Sequence, residues 1–264
     1  MASRTKQKEE ARARRLAEEQ ARAARQRRDR RLRMIGGTVV LAVAIVAVLI
    51  AVSSGGNSTA TGLQNGKAQT QTVAAVDKLL TGVQQSGATL GSPSAPVTMT
   101  YYGDLECPIC RDFTLNGGLS QLIANEVRAG KVKIVYKSFE TATQDPNVFK
   151  VQQIAALAAG QQQRFWNFTE LFYHEQGAEG TGYVNESYLT GLAKQVTGLN
   201  VSQWSTARNN SSLATQVSTD EQSGTAAGVQ GTPTLVFTGP KGTTAGSSSV
   251  PSYSDLQASI KKVA

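Results

Sequence analysis

Residues 102–113 decide the fold: they read YGDLECPICRDF and contain the two cysteines of a 264-residue chain. Two residues separate Cys107 from Cys110, a spacing shared by redox-active dithiols, half zinc sites and small disulfide staples. A β-branched and aromatic run at 97–102 precedes the motif, and apolar residues at helical spacing follow it as far as Gly130. The pattern predicts a strand that leads directly into a helix at the two cysteines.

A structural staple and a structural metal site both fit the cysteines poorly. A Cys107–Cys110 disulfide closes so short a loop that it stabilises the fold by roughly 2 kcal/mol at best, before strain. A structural zinc ion needs four ligands, usually Cys and His. The chain adds one histidine, His174, which lies far along the sequence in a predicted helix and is expected to be exposed. We therefore expect no metal and no other cofactor.

Redox chemistry accounts for each local feature of the motif. The start of a helix offers unpaired N–H groups and a partial positive charge, which stabilise a thiolate. This environment lowers the pKa of a cysteine from about 8.5 into the range of roughly 3.5–7.5. Pro108 lacks an N–H and suits the first helical position. We expect Cys107 to be an exposed nucleophile and Cys110, one turn deeper, to be the resolving thiol.

The rest of the chain predicts an α/β fold with an all-helical insertion at about 146–227. A second strand is predicted at 132–139, and a further strand begins at Pro233 and is followed by a return strand and a closing helix at 253–263. The pattern between these strands is helical. Its predicted helices are 148–159, 161–175, 187–196, 201–207 and 213–227.

The N-terminal region predicts membrane anchoring. Residues 1–33 carry 13 Lys and Arg against 5 Asp and Glu, so the net charge of +8 belongs to this tail and the remainder is formally neutral. That neutrality argues against a nucleic-acid-binding domain. Residues 34–52 are uncharged and long enough to span a bilayer. The positive-inside bias puts the tail in the cytoplasm and everything after the anchor outside.

Two boundaries follow from composition. Residues 53–70 are rich in Ser, Gly, Thr and Asn and predict a flexible tether, and 71–264 predict one globular domain that opens with a short amphipathic helix. The alternative to a retained anchor is a cleaved signal peptide with its site at 51–53.

Several motifs in order resemble the membrane-anchored or exported DsbA-like thiol:disulfide oxidoreductases of the thioredoxin superfamily. The resemblance runs from about Gly87 to Gly239. It rests on TLGSP at 89–93, on Asp104 with CPIC and Phe113, on AALAA at 155–159 with Phe165-Trp166 and Leu171-Phe172, and on GVQGTPT at 228–234. It implies a thioredoxin fold split by the helical insertion.

The resemblance also implies roles for particular residues and partners. Thr232-Pro233 is expected to be a cis bond packed against the cysteine pair, and the backbone of Thr232 is expected to pair with a substrate peptide. Exported proteins with cysteine thiols are the implied substrates. A membrane-embedded protein of the DsbB-like or vitamin K epoxide reductase-like type is the implied reoxidant.

Ile109, Asp104 and Glu106 lie near the cysteines, and a separate expectation applies to each. The dipeptide Pro108-Ile109 replaces the Pro-His of the best-known members, so a histidine contact to the thiolate is absent and a weaker oxidant is expected. Asp104 is either a proton-relay acid or a capping residue near the helix start. Glu106 is expected to be exposed.

The leading functional prediction is a dithiol oxidase for exported proteins. The alternatives are a reductase or isomerase of the same fold, for example in cytochrome c maturation, and a tethered peptide-binding or chaperone module. The sequence alone leaves the direction of electron flow open.

Overall fold

The computed structural model describes residues 62–245 and 250–264. The predicted tail, the predicted anchor at 34–52 and the first half of the predicted tether lie outside these residues. Within the described ranges, none of the helices is both long and apolar enough to cross a bilayer.

One mixed sheet forms the centre of the described domain, with the strand order β1-β2-β4-β3-β5-β6. The strands are β1 (Gln85–Ser86), β2 (Thr89–Leu90), β3 (Val97–Gly103), β4 (Val132–Ser138), β5 (Thr234–Gly239) and β6 (Gly242–Ala245). β3 and β4 are parallel, and the other neighbouring pairs are antiparallel. The strand that leads into the cysteine motif therefore lies between β4 and β5, inside the sheet.

Helices surround this sheet. They are α1 (Gly66–Leu80), α2 (Pro108–Leu115), α3 (Leu119–Leu122) with the π-helical turn Ile123–Val127, α4 (Pro146–Gly160), α5 (Phe165–His174), α6 (Glu186–Gln195), α7 (Val201–Ala207), α8 (Ser211–Ala226) and α9 (Tyr253–Val263). α8 packs on β4, α9 packs on β5 and β6, and α5 contacts α1, α2, α4 and α6. The predicted helical insertion is confirmed as α4 to α8.

The strand registers bring three loops to one edge of the sheet. In the parallel pair, Gly103 lies opposite Ser138, so the chain leaves β3 and β4 at the same edge. In the antiparallel pair, Tyr102 lies opposite Thr234, so the chain enters β5 at that edge as well. The cysteine motif, the loop after β4 and the loop before β5 must therefore converge there.

The helix that follows the cysteines differs from its prediction. The sequence predicts one helix ending near Gly130, but α2 ends at Leu115 and a new helical segment starts at Leu119. The start of α9 explains the break: a Cβ at Gly118 would lie only 2.5 Å from the backbone nitrogen of Tyr253. A glycine is therefore required where the C-terminal helix crosses this corner.

The predicted tether also ends earlier than composition indicates. α1 begins at Gly66, inside the 53–70 segment, and Leu63 is buried in the hydrophobic core. The predicted amphipathic helix therefore starts inside the Ser- and Gly-rich segment, and it packs on α5.

Aromatic side chains fill the space between the sheet and the helices behind the cysteines. Tyr101 makes edge-to-face contacts with Phe113 and Tyr136, at ring-centroid distances of 5.4 and 5.2 Å. Phe165 and Trp166 extend the cluster from α5. The aromatic side chains of α5 belong to the core, since each is at most 1% exposed.

Glu170 is a buried acid within this packing. It lies on α5, is 3% exposed, and its Oε1 has no hydrogen-bond partner. Burial raises the pKa of its carboxyl to about 8, because the charged form is poorly solvated there. The carboxyl is therefore largely protonated in the fold at neutral pH and ionised in the unfolded chain.

We expect Glu170→Gln to raise the free energy of unfolding at pH 7 by roughly 3 kcal/mol, because the amide does not ionise in the unfolded state. Because the pKa of Glu170 is higher in the folded state than in the unfolded chain, the folded state loses no stability from this carboxyl below the unfolded pKa. The loss grows as the pH rises towards about 8. The gain should therefore disappear near pH 4, as measured by urea unfolding of the reduced protein.

Glu179→Gln is the matched control, since Glu179 is exposed. It should change the free energy of unfolding little at either pH. An equal gain for Glu170→Gln at pH 4 and pH 7 would contradict ionisation as the cause.

Candidate active site

Cys107 is the capping residue of α2. Its backbone is extended (φ −69°, ψ 118°), and its sulfur accepts a hydrogen bond from the backbone N–H of Cys110 at 3.4 Å. Pro108 occupies the first helical position, as predicted, so no N–H is lost there. Both cysteines are free thiols in this structure. The sulfur of Cys107 thus lies where the N-terminal N–H groups of α2 point.

The loop before β5 covers this sulfur. The Thr232-Pro233 peptide bond is cis, as the resemblance implied. The Cys107 thiol donates to the backbone carbonyl oxygen of Thr232, with an Sγ to oxygen distance of 3.2 Å. Gln176 closes the other side, donating from Nε2 to the carbonyl oxygens of Leu105 and Cys107 at 2.6 and 3.2 Å.

These contacts correct the expected exposure of the nucleophile. Cys107 is only 4% exposed and Cys110 is fully buried, whereas Ile109 between them is 45% exposed. The resemblance placed the cis-proline loop against the cysteine pair, but it did not show that this loop buries the sulfur of Cys107. The apolar side chain of Ile109 therefore forms the open part of the motif.

The two thiols have opposite electrostatic environments. A hydrogen bond from the Cys110 side chain is the main cause that lowers the pKa of Cys107, to about 6, and burial opposes it. The Thr232 side chain and the backbone N–H groups of Cys110 and Ile109 lower it further. Burial raises the pKa of Cys110 well above its ordinary value, followed by its contact with Cys107. The pair thus contains one stabilised thiolate and one thiol that stays protonated.

Asp104 is not the helix cap, because Cys107 occupies that position. Its buried carboxylate accepts hydrogen bonds from the loop after β4 and from the backbone N–H of Glu106. It therefore ties the cysteine turn to residues 141–143. A proton-relay role for Asp104 remains a prediction.

The expected exposure of Glu106 is wrong. Its side chain is 5% exposed and receives a long hydrogen bond, 3.5 Å, from Nε2 of Gln152 on α4. Burial, and then the charge of Asp104, raise the pKa of its carboxyl. α4 covers this side of the motif, which the local sequence could not show.

His174 is also less exposed than expected. It is half-buried at the end of α5, and burial followed by the positive charge of Arg111 lowers its pKa. Among the residues that the structure describes, no three His, Cys, Asp or Glu side chains are grouped to hold a metal ion.

Sequence reasoning missed the residues that surround the motif from other elements. Thr141, Thr143, Gln152 and Gln176 all contact the cysteine turn or the residues that hold it. Their side chains are common polar types in loops and helices and carry no local signal. Only the parallel register of β3 and β4 predicts that the loop after β4 lies at the cysteines.

Comparison with known proteins assigns the family. A sequence model described as thioredoxin matches residues 84–262. The chain belongs to the thioredoxin family. The matched region contains the cysteine motif, the cis-proline loop and the whole helical insertion of this thioredoxin-family chain.

Individual relatives indicate which class of thioredoxin-family protein this chain resembles. Probable disulfide bond formation protein D of Bacillus cereus is 26% identical over 157 residues, which are 57% of this chain and 69% of that protein. Oxidised BdbD of Bacillus subtilis has a TM-score of 0.57 at 21% identity, covering 69% of this chain and 97% of that one. The latter similarity shows the fold. The prediction of a DsbA-like thiol:disulfide oxidoreductase of the thioredoxin superfamily is confirmed.

One relative is a much larger protein. Na(+)/H(+) antiporter NhaA 1 of Mycolicibacterium gilvum is 32% identical over 155 residues, which are 56% of this chain. The chain spans only 23% of that antiporter's length. Ion transport therefore belongs to that protein and gives no basis for a function here.

We expect Cys110→Ala to raise the pKa of Cys107 from about 6 towards the ordinary cysteine range, because it removes the hydrogen bond that lowers it most. Cys110→Ser is the matched variant, since its hydroxyl keeps a donor at the same place. It should leave the pKa closer to that of the parent protein.

A pH titration of thiolate ultraviolet absorbance measures both variants, with alkylation rates as a second readout. Equal pKa values for Cys107 in the Ala and Ser variants would contradict the assigned cause.

Proposed function

We propose that this thiol:disulfide oxidoreductase is a dithiol oxidase that introduces disulfides into exported proteins on the extracytoplasmic side of the membrane. The observation that carries the proposal is the unequal pair: a pKa of about 6 at Cys107 beside a raised pKa at Cys110. A stabilised thiolate favours the reduced enzyme, and an enzyme with a stable reduced form is a strong oxidant.

The first step is attack on the Cys107–Cys110 disulfide of the oxidised enzyme. A substrate thiolate bonds to Sγ of Cys107, the disulfide breaks, and Cys110 leaves as a thiolate. Because the pKa of Cys110 is raised by burial, this thiolate takes up a proton and becomes a poor competitor for the mixed disulfide.

The second step releases the oxidised substrate. A second substrate thiolate attacks the substrate sulfur of the mixed disulfide, and Cys107 leaves as a thiolate. A thiol of low pKa leaves faster, so the environment of Cys107 accelerates this step. The substrate dithiol has lost two electrons and two protons, and the enzyme disulfide has gained the two electrons.

The surroundings of the pair suit a peptide substrate. Ile109 presents an exposed apolar side chain next to the reactive sulfur, and Pro108 precedes it at the helix start. Thr232 and Pro233 form the opposite wall. We propose that the backbone of Thr232 pairs with the substrate after the Cys107 thiol releases its carbonyl oxygen.

Continuous oxidation needs an electron acceptor. The enzyme ends each cycle as a dithiol, so we propose a membrane-embedded DsbB-like or vitamin K epoxide reductase-like partner that reoxidises it. This partner and the extracytoplasmic location rest on the sequence prediction of a single anchor at 34–52.

The reductase or isomerase direction is the second candidate, and Ile109 is the observation that favours it. Its side chain supplies no hydrogen bond to the thiolate, so the stabilisation rests on Cys110, Thr232 and backbone N–H groups. If those donors stabilise the thiolate less than a histidine would, the enzyme is a weaker oxidant.

Trapping with Cys110→Ser tests the direction in cells. The variant keeps Cys107 as the sulfur that forms mixed disulfides but lacks the Cys110 thiol that would displace the partner, so partners without a second reactive thiol remain covalently bound to Cys107. Disulfide-linked exported proteins, together with a largely oxidised Cys107 in the parent protein, are expected. Capture of haem-binding apoproteins would support the maturation reductase, and absence of covalent partners would support a peptide-binding module.

We expect Ile109→His to make the enzyme more oxidising, because a histidine beside the sulfur adds a favourable contact to the thiolate. Equilibration with glutathione measures the reduction potential. Ile109→Leu is the matched control and should leave the potential nearly unchanged. An unchanged potential in Ile109→His would show that this position does not tune the pair.

A further inference from the structure

A groove outside the cysteine site lies between α1, the end of α2, the π-helical turn and α5. Its volume is about 410 Å³, which is within the range of small-molecule binding sites. Its walls are largely aliphatic and include Val76, Leu79, Leu115 and Ala124. A π-helical turn is rare and is often found at a functional site. The groove therefore has the size and the lining of a site for an apolar molecule.

Glu170 is the polar group at the floor of this groove. Its side chain lines the groove, is 3% exposed, and its Oε1 has no hydrogen-bond partner. A buried polar atom without a partner costs free energy, and each such atom in a native fold needs a physical reason. The pKa of this carboxyl, raised by burial to about 8, means that it carries a proton at neutral pH. The groove therefore contains a neutral carboxyl that can donate a hydrogen bond to a bound molecule.

The charges around the groove disfavour a cation. Lys78 and Arg128 line its rim, and both are exposed. Arg111 lies close enough to His174, which also lines the groove, for its positive charge to lower the pKa of that imidazole after burial does. Glu170 is the one acidic residue that lines the described groove, and it is protonated at neutral pH. A positively charged ligand would therefore be repelled.

An anion is disfavoured at the depth of Glu170. Arg128 already donates from Nη1 and Nη2 to the carbonyl oxygens of Thr81 and Leu79, at 2.6 and 2.8 Å. The side chain of Lys78 is at the surface. Burying an unpaired charge among aliphatic side chains is costly. The part of a ligand that reaches Glu170 is therefore uncharged.

The shape of the groove favours a small molecule over a protein surface. Among the described residues, the large hydrophobic side chains with substantial exposure are Ile109 and Val151, and neither lines the groove. The exposed residues at its rim are small or charged, as are Ala75, Ala124 and Lys78. The apolar surface thus lies inside the groove, where a small molecule contacts it more completely than a flat protein surface does.

We propose that this groove binds an uncharged, largely apolar small molecule whose carbonyl or ether oxygen accepts a hydrogen bond from the carboxyl of Glu170. The aliphatic side chains of Val76, Leu79 and Leu115 contact the apolar part of the molecule. Glu170 supplies the directional contact, which gives a physical reason for a carboxyl that lowers the stability of the fold. The site goes beyond the proposed function and uses neither cysteine.

Benzophenone is the probe, because it is uncharged and combines apolar rings with one carbonyl oxygen. Under near-ultraviolet light its excited carbonyl takes a hydrogen atom from a nearby C–H group, and the two carbon radicals combine. The full chain is irradiated over a range of benzophenone concentrations, and the labelled residues are located by mass spectrometry. We expect saturable labelling within 75–79 and at Leu115. Labelling confined to other parts of the chain, or labelling that does not saturate, would overturn the proposal.

Glu170→Met and Glu170→Gln form a matched pair of variants. Methionine has a similar length but cannot donate to the carbonyl, so half-maximal labelling should need roughly three- to ten-fold more benzophenone, the effect of one hydrogen bond. Glutamine keeps an N–H donor and should label like the parent protein at pH 7. Both variants remove the ionisable carboxyl, so the difference between them reports the donor rather than the stability of the fold. Equal labelling curves for the Met variant and the parent would overturn the role of Glu170.

The pH dependence provides a second readout. Ionisation of Glu170 removes its donor, so the affinity of the parent protein should be complete near pH 7 and fall as the pH rises through about 8. The other titratable groups at the groove are Lys78, Arg128 and His174, with Arg111 next to His174. Glu170→Gln retains all of them and should show no such fall. A parallel fall in that variant would assign the change to another group and overturn the role of Glu170.

Ala75→Phe tests the location of the site, because a phenylalanine there would occupy the groove. It should abolish the saturable labelling. Ala74→Phe is the matched control, since Ala74 is exposed on the same helix and does not line the groove. It should label like the parent protein. Unchanged labelling in Ala75→Phe would overturn the proposal.

Discussion

The contact between Cys107 and Thr232 depends on a sheet register that joins residues 125 positions apart. β3 delivers the cysteines and β5 begins just after the cis-proline, and these strands pair with Tyr102 opposite Thr234. A slip of one residue would turn every side chain of β5 to the other face and displace the loop that covers the sulfur. The reactivity of the site is thus fixed first by strand pairing and only then by local groups.

The chemical asymmetry of the two cysteines arises from position rather than residue type. Cys107 lies at the start of α2, where the backbone N–H of Cys110 donates to its sulfur and hydrogen bonds lower its pKa to about 6. Cys110 lies one turn further into a fully buried environment, where desolvation dominates. One sulfur is therefore a good leaving group and the other holds its proton, which is the division of roles that disulfide exchange requires.

Two buried acidic residues, Asp104 and Glu170, have opposite effects in this domain. Asp104 is fully buried but is surrounded by backbone N–H donors, which replace the water that its carboxylate has lost. Glu170 is equally enclosed, yet one of its oxygens has no partner, and its carboxyl is held protonated instead. The buried carboxylate of Asp104 thus connects two loops at the active site. The buried carboxyl of Glu170, in contrast, lowers the stability of the fold.

The sequence by itself determined the redox motif, the α/β class, the helical insertion and, through resemblance, the cis-proline loop, because these depend on local periodicity and on short motifs. It could not determine the break at Gly118, the burial of Cys107 and Glu106, or the loop that Asp104 holds. Each of these depends on which distant segment packs against the motif: α9, the loop before β5, α4 and the loop after β4. Tertiary structure decided them because burial and hydrogen-bond partners are set by strand register and helix packing, which no local pattern encodes.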